Sequence, residues 1–153
     1  SGFCPAEAIR RAGVNLAMGT DGCASNNDLD LFGEMRSAAL VGKLVAGDAA
    51  AMDAASVLRA ATLGSARALG WSDRIGSIEV GKQADLVAVD LDTIESQPVY
   101  NVISQLIYAA SRHQVSDVWI GGERKLRERR LIDIDTVEIL AKARRWQARI
   151  AST

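Results

Sequence analysis

The stretch Val14-Asn15-Leu16-Ala17-Met18-Gly19-Thr20-Asp21-Gly22 constrains this chain more than any other. Its apolar residues run nearly without interruption, as in a strand covered on both faces, and it ends on a carboxylate followed by a glycine turn. Upstream, residues 5–12 read as a short helix that Gly13 stops. Downstream, Ser25 or Asn26 is placed to cap a helix whose apolar face takes Leu29, Phe32, Met35, Ala39 and Leu40. Helix, strand, turn and helix make the α/β repeat, and α/β enzymes keep their chemistry at the carboxyl ends of their strands. Asp21 is therefore the first candidate site residue. A carboxylate in that place can ligate a divalent cation or take a proton from water. Equally, Asp-Gly is an ordinary turn pair in which the aspartate bonds its own backbone. The residues by themselves leave both readings open.

The rest of the chain alternates helical and strand-like texture. Asp53 caps a second helix, rich in alanine, that runs through Val57, Leu58, Ala61, Leu63 and Leu69 and closes on Gly70. Between the two helices, residues 47–52 read as a loose turn, and Gly42 and Gly47 weaken the first helix toward its end. After Trp71 the texture changes, which places a domain boundary near residues 70–74. Residues 75–90 read as two short strands around a Gly81-Lys82 turn. A helix over residues 102–110, a strand over 115–120, a Gly121-Gly122 turn and a return strand through Leu126 follow, with another strand starting at Leu131-Ile132. Asp135 and Glu138 give a capping-box-like start to a terminal helix with Val137, Leu140, Ala141, Ala143 and Ile150 as its apolar positions and Trp146 covering one edge.

Bulk properties exclude several function classes. The net charge is -1 over 153 residues, so neither nucleic acid nor an anionic membrane is favoured as a partner. The basic residues from Arg124 to Arg130 are interrupted by Glu128 and preceded by Glu123, and read as a solvated strand and turn. No stretch reaches the ~20 apolar residues of a membrane span, and the first residues lack the basic-then-apolar pattern of a signal peptide. Cys4 and Cys23 make no disulfide framework, and the expected location is the cytoplasm. His113 is the single histidine, in a polar loop. A zinc site takes about three or four ligands, and Asp21, Cys4, Cys23 and His113 do not form a convincing set. Asn26 and Asn27 could meet a polar substrate, but capping the helix is the simpler reading. Gly81-Lys82 lacks the upstream glycine of a phosphate loop.

Taken together, Gly19-Thr20-Asp21-Gly22, Ser25-Asn26-Asn27, Leu29-Asp30, Phe32 and Glu34-Met35-Arg36 resemble the last barrel strand and following helix of amidohydrolase-superfamily deaminases. The nearest branch is the 5-methylthioadenosine/S-adenosylhomocysteine deaminases, with triazine chlorohydrolases as relatives. Ala61-Thr62-Leu63, the run from Ala66 to Gly70 and the run from Gly76 to Val87 resemble the segment that leads such a chain out of its barrel into a small β-sandwich. Pro98-Val99-Tyr100-Asn101 and the stretch ending Trp119-Ile120-Gly121-Gly122 continue the likeness.

The resemblance implies an α/β fold. Residues 1–72 would be the last β/α unit of a TIM-type eightfold (β/α) barrel, and residues 73–153 the carboxyl-terminal part of a small β-sandwich with a terminal helix. It implies one zinc ion, or iron, manganese or nickel in its place, and a metal-activated water. That water attacks a purine carbon bearing an amino group, and ammonia leaves. Asp21 matches the aspartate that ligates the metal, takes the proton and faces the substrate. The implied partners are a purine nucleoside, the amino-terminal barrel segment and a further copy of the protein. Ser1-Gly2-Phe3-Cys4-Pro5 resembles the loop after the seventh strand, so the remaining metal histidines and the catalytic His and Glu are expected upstream of Ser1. The chain alone is expected neither to deaminate nor to bind zinc tightly. Two other readings stand beside this one. The first is another amidohydrolase chemistry, such as triazine dechlorination or guanine or cytosine deamination. The second is a non-catalytic module that associates through its exposed barrel edge or its terminal helix.

Overall fold

The computed structural model describes residues 2–152, so Ser1, the first residue of the Ser1–Pro5 likeness, lies outside the described residues. Helices come first: α1 (Ala6–Arg11), α2 (Leu31–Ala46), α3 (Ala54–Arg59), a π-helical turn (Ala60–Gly64) and α4 (Ser65–Ala68). Then follow β1 (Leu86–Val89), α5 (Val102–Tyr108), a tight helical turn (Arg112–Gln114), β2 (Val115–Ile120), β3 (Glu123–Arg127), β4 (Arg130–Leu131) and α6 (Thr136–Ala151).

Short acidic side chains set the helix starts. Asp53 caps α3 by accepting from the Ser56 amide at 3.0 Å. Asp135 caps α6 through the amides of Val137 and Glu138, but the Glu138 side chain turns to Lys142 instead of closing a capping box. For α2 the cap is Asp30, which accepts from the Phe32 amide at 3.0 Å. Ser25 and Asn26, the expected caps, lie earlier and hold the preceding loop together. Their distance from the first helical residue, Leu31, leaves Asp30 as the only one of the three within reach.

The core is Met35 and Ala39 of α2, Met52, Val57 of α3 and Ile107 of α5. The connection expected to be loose is part of it, since Ala51 and Met52 are fully buried. Lys43 Nζ donates to the Ala51 carbonyl at 2.6 Å, and the Met52 amide donates to Glu7 Oε2 at 3.0 Å. A Cβ on Gly42 would stand 2.6 Å from Met52 Cγ, so this glycine is where the turn packs onto α2 and not a weak point of the helix. Glu7 is buried, and Arg10 and Arg11 both donate to it. The Arg10 guanidinium foremost, with the Met52 amide and Arg11, holds its carboxyl well below the usual carboxylate range.

The four strands form one antiparallel sheet in the order β1-β2-β3-β4. The first of the two strands expected over residues 75–90 does not form. Gly76 and Gly81 take φ of 90° and 94°, and the Gln83 amide closes a loop onto the Arg74 carbonyl at 2.8 Å. Repeated left-handed turns cannot continue a pleated ladder. The pattern Ala84-Asp85-Leu86 has a structural use: Asp85 Oδ1 accepts from the Gly121 amide at 2.6 Å, tying the β2–β3 turn to the start of β1. Between the helices and β1 lies an apolar groove of about 560 Å³, with Phe32, Met35, Leu58, Leu69 and Leu86 among its walls. No residue of α6 is buried, and Trp146 covers no edge but lies against Arg149, 4.5 Å from ring to guanidinium. Among the described residues, no helix is long and apolar enough to cross a membrane.

Candidate active site

The segment from Val14 to Gly19 is extended but joins no sheet; among the described residues it has no strand beside it. A lone strand cannot make a ladder, so its polar groups must find other partners. They find the π-helical turn. Asn15 Nδ2 donates to the Gly64 carbonyl at 2.8 Å, and Ser65 Oγ lies 3.1 Å from both the amide nitrogen and the carbonyl oxygen of Met18. Burial alternates along it: Leu16 and Met18 are half-buried against the helical core and Thr20 is half-buried, while Asn15, Ala17, Gly19 and Asp21 are exposed. Helices cover one face only, and the other is bare.

Asp21 stands at the end of this segment in the left-handed region, with φ 62°. Aspartate tolerates that conformation better than most residues. The Gly22 amide donates to Oδ1 at 2.7 Å and the Ser25 hydroxyl to Oδ2 at 2.6 Å. These two donors, Ser25 first, lower the pKa of the carboxyl from its ordinary value. The turn reading and the ligand reading are compatible here. The carboxylate bonds the backbone of its own turn and still faces solvent with part of its acceptor capacity free, since two donors occupy about half of its four lone-pair positions.

Asn26 is the stitch of the loop, not a helix cap or a free substrate contact. Its Nδ2 donates to the Thr20 carbonyl at 2.7 Å and to Glu34 Oε1 at 3.0 Å, and its Oδ1 accepts from the Asp28 amide at 2.9 Å. Asn27 is exposed. Arg112, at the turn before β2, pairs with Asp28 across the molecule. Cys4 and Cys23 are free and exposed, and His113 is exposed on the Arg112–Gln114 turn. Among the described residues, no group of three or more His, Cys, Asp or Glu stands together to hold a metal ion. Sequence reasoning missed Ser65 and Gly64, and named Glu34 only within the family likeness, not for its bond to Asn26. The one local signal was a glycine-serine pair interrupting an alanine-rich helix, which propensity alone reads as a weak point.

The amidohydrolase family model matches residues 1–125. Over 152 residues the chain is 49% identical to the 5-methylthioadenosine/S-adenosylhomocysteine deaminase of Teredinibacter turnerae, a match over 99% of this chain and 34% of that protein. The enzyme of the same name from Syntrophobacter fumaroxidans is 47% identical over 144 residues. An adenosine deaminase from Xanthomonas campestris, solved with bound zinc, superposes with a TM-score of 0.97 at 67% identity, over 100% of this chain and 35% of that one. An atrazine chlorohydrolase from Arthrobacter aurescens TC1, complexed with zinc, superposes at 0.84 and 31% identity, over 92% of this chain and 31% of that one. The chain thus spans about a third of the length of the curated relatives it matches. It belongs to the amidohydrolase family.

Proposed function

We propose that this chain serves as the carboxyl-terminal part of a metal-dependent enzyme that deaminates adenosine derivatives of the 5-methylthioadenosine/S-adenosylhomocysteine type. The observation that carries the reading is Asp21, a carboxylate at the end of an extended segment with helices on one face and a bare face opposite. A barrel strand has that arrangement, with helices outside and the barrel interior opposite, and its carboxyl end, where Asp21 stands, is where such barrels keep their chemistry. Residues 1–72 then contribute the last β/α unit of an eightfold barrel. Residues 73–153 contribute part of a small β-sandwich and the terminal helix. The names of the relatives, as deaminases of this substrate type, support the substrate class.

Asp21 is the residue of this chain that would hold the metal. Zinc accepts carboxylate oxygen, and the free acceptor positions of Asp21 leave room for it. When bound, zinc or another divalent ion lowers the pKa of a coordinated water toward neutrality. The Ser25 hydroxyl and the Gly22 amide keep the Asp21 carboxylate ionised and fixed in orientation. In that state it accepts the proton of the attacking water and returns it to the amino group, which leaves as ammonia. The purine nucleoside would lie against the same carboxylate. Exposed free cysteines suit a reducing, cytoplasmic compartment. The unpaired edges of residues 14–19 suit association with the rest of a barrel and with a second copy.

The likeness to the atrazine chlorohydrolase favours one second reading, hydrolytic dechlorination with the same residue roles and chloride as the leaving group. The test assays the full-length polypeptide carrying this segment for ammonia from 5-methylthioadenosine, S-adenosylhomocysteine and adenosine, and for chloride from atrazine. Ammonia release that falls by about a hundredfold or more in Asp21→Asn is expected. Chloride release without ammonia selects the second reading, and neither product, with self-association intact, selects a non-catalytic module.

A further inference from the structure

The segment that carries Asp21 is held at three points within four residues by one irregularity in a helix. A regular helix would continue from α3 into α4. Instead Ala60–Gly64 form a π-helical turn, and the displaced Ala60 carbonyl lies 2.8 Å from Ser65 Oγ. The same hydroxyl accepts the Met18 amide and has the Met18 carbonyl as its other acceptor, at 3.1 Å. Its single proton serves either carbonyl while its lone pair takes the amide. One residue earlier, the Gly64 carbonyl accepts from Asn15 Nδ2. Gly64 also has no Cβ, which lets the Leu16 carbonyl approach so closely that an added Cβ would stand 2.2 Å from it. Asn15, Leu16 and Met18 are thereby fixed in height and in rotation.

Rotation matters most. Successive residues of an extended chain face opposite sides, so a slip of one residue would exchange the faces of the segment from Val14 to Gly19 and carry the Asp21 turn away from its place. A strand in a complete ladder has its register set by neighbouring strands. This segment has a second device, independent of any neighbour.

We infer that Ser65, with the π-helical turn before it, is a positioning residue for Asp21: it fixes the face and depth at which that carboxylate is presented to metal and substrate. The inference rests on the reading of Asp21 as a metal ligand. It adds a role for a side chain that touches neither metal nor substrate.

The test uses the full-length polypeptide carrying this segment, with Ser65→Ala, Ser65→Thr and, as a core control on another helix, Ile107→Ala. Ser65→Ala is expected to lower kcat by about tenfold to a hundredfold with KM changed less than about threefold, because misplacement by about an ångström has that effect. Zinc should be stripped faster by a chelator, and the Met18 amide should lose protection from hydrogen exchange. Ser65→Thr keeps the hydroxyl and should restore most of the lost kcat. Ile107→Ala should lower the melting temperature and leave kcat in place. If Ser65→Ala only lowers the melting temperature, as the core control does, or if Met18 stays equally protected, the inference is wrong. Asp21→Asn with unchanged zinc content and turnover would sink the assignment of Asp21 instead. That outcome is distinguishable, because failure at Ser65 alone leaves Asp21→Asn inactive.

Discussion

The α-carbon of Gly64 is so close to the Leu16 carbonyl that a Cβ on it would stand 2.2 Å from that oxygen. The obstructing atom belongs to the backbone, and contacts at Asn15 and Met18 hold it on either side. It cannot swing away as the tip of a side chain would. Gly64→Ala is expected to lower stability by about 1–3 kcal/mol, the usual effect of overpacking. A shift of the urea midpoint at constant slope would register it. An unmoved midpoint would mean that residues 14–19 are not held where they lie.

The start of α2 separates two capping schemes. Asp30 accepts from the Phe32 amide, whereas the Ser25 hydroxyl donates to Asp21. Asp30→Ala should therefore cost about 1 kcal/mol of stability. Ser25→Ala should leave helix content unchanged by circular dichroism. Equal losses from both substitutions would show that the loop and the helix form one capping unit.

Glu7 makes stability depend on pH in a defined direction. Its carboxylate accepts from Arg10, Arg11 and the Met52 amide, and its folded pKa lies below the ordinary unfolded value of about 4.3. The unfolded chain binds the proton more readily, so the contribution is complete above that value. It shrinks as pH falls below it toward the folded pKa. The stability gap between the wild type and Glu7→Gln should be widest at neutral pH and narrow from about pH 4 downward. A gap of constant size from pH 7 to pH 3 would show that the buried ion cluster is not its source.

Two glycines of similar φ should respond differently to alanine. Gly81 has open space where a Cβ would go, while a Cβ on Gly76 would stand 2.7 Å from Ala66 Cβ and 3.0 Å from Leu63 Cα. Gly81→Ala carries only backbone strain, about 1–2 kcal/mol. Gly76→Ala adds a clash between the chain leading to the sheet and the helix it crosses. Melting temperatures should rank wild type, Gly81→Ala and Gly76→Ala in descending order, and a reversed order would place the strain in the wrong loop.

Much of this was readable from local chemistry. Asp53 and Asp135 announce their helices because a cap needs only a short acceptor side chain and the next few amides. Asp21 stood out for a similar reason, as an acid between an apolar run and a glycine. What escaped depends on distant partners. Residues 14–19 have strand composition and are expected to stand without neighbours, and among the described residues none lies beside them; what escaped is that the π-helical turn supplies their partners instead. The turn at Ala51–Met52 has loop composition, yet Gly42 on the neighbouring helix and Glu7, distant in sequence, pack against it. The hydroxyl of Ser65 is one of many in the chain. Only the fold shows that it faces Met18.

The exposed terminal helix has a thermodynamic consequence. With none of its 16 residues buried, α6 rests on its Asp135 cap, the Glu138–Lys142 pair and the contact between Arg149 and Trp146. Isolated helices of that length are marginal in water. α6 is therefore expected to open and close on its own while the core of Met35, Val57 and Ile107 stays folded. Trp146 reports on the first event, and Trp71, just after α4, and Trp119, in β2, on the rest of the fold. Unfolding followed by these probes is expected not to superimpose, the behaviour of two cooperative units where a two-state treatment would assign one.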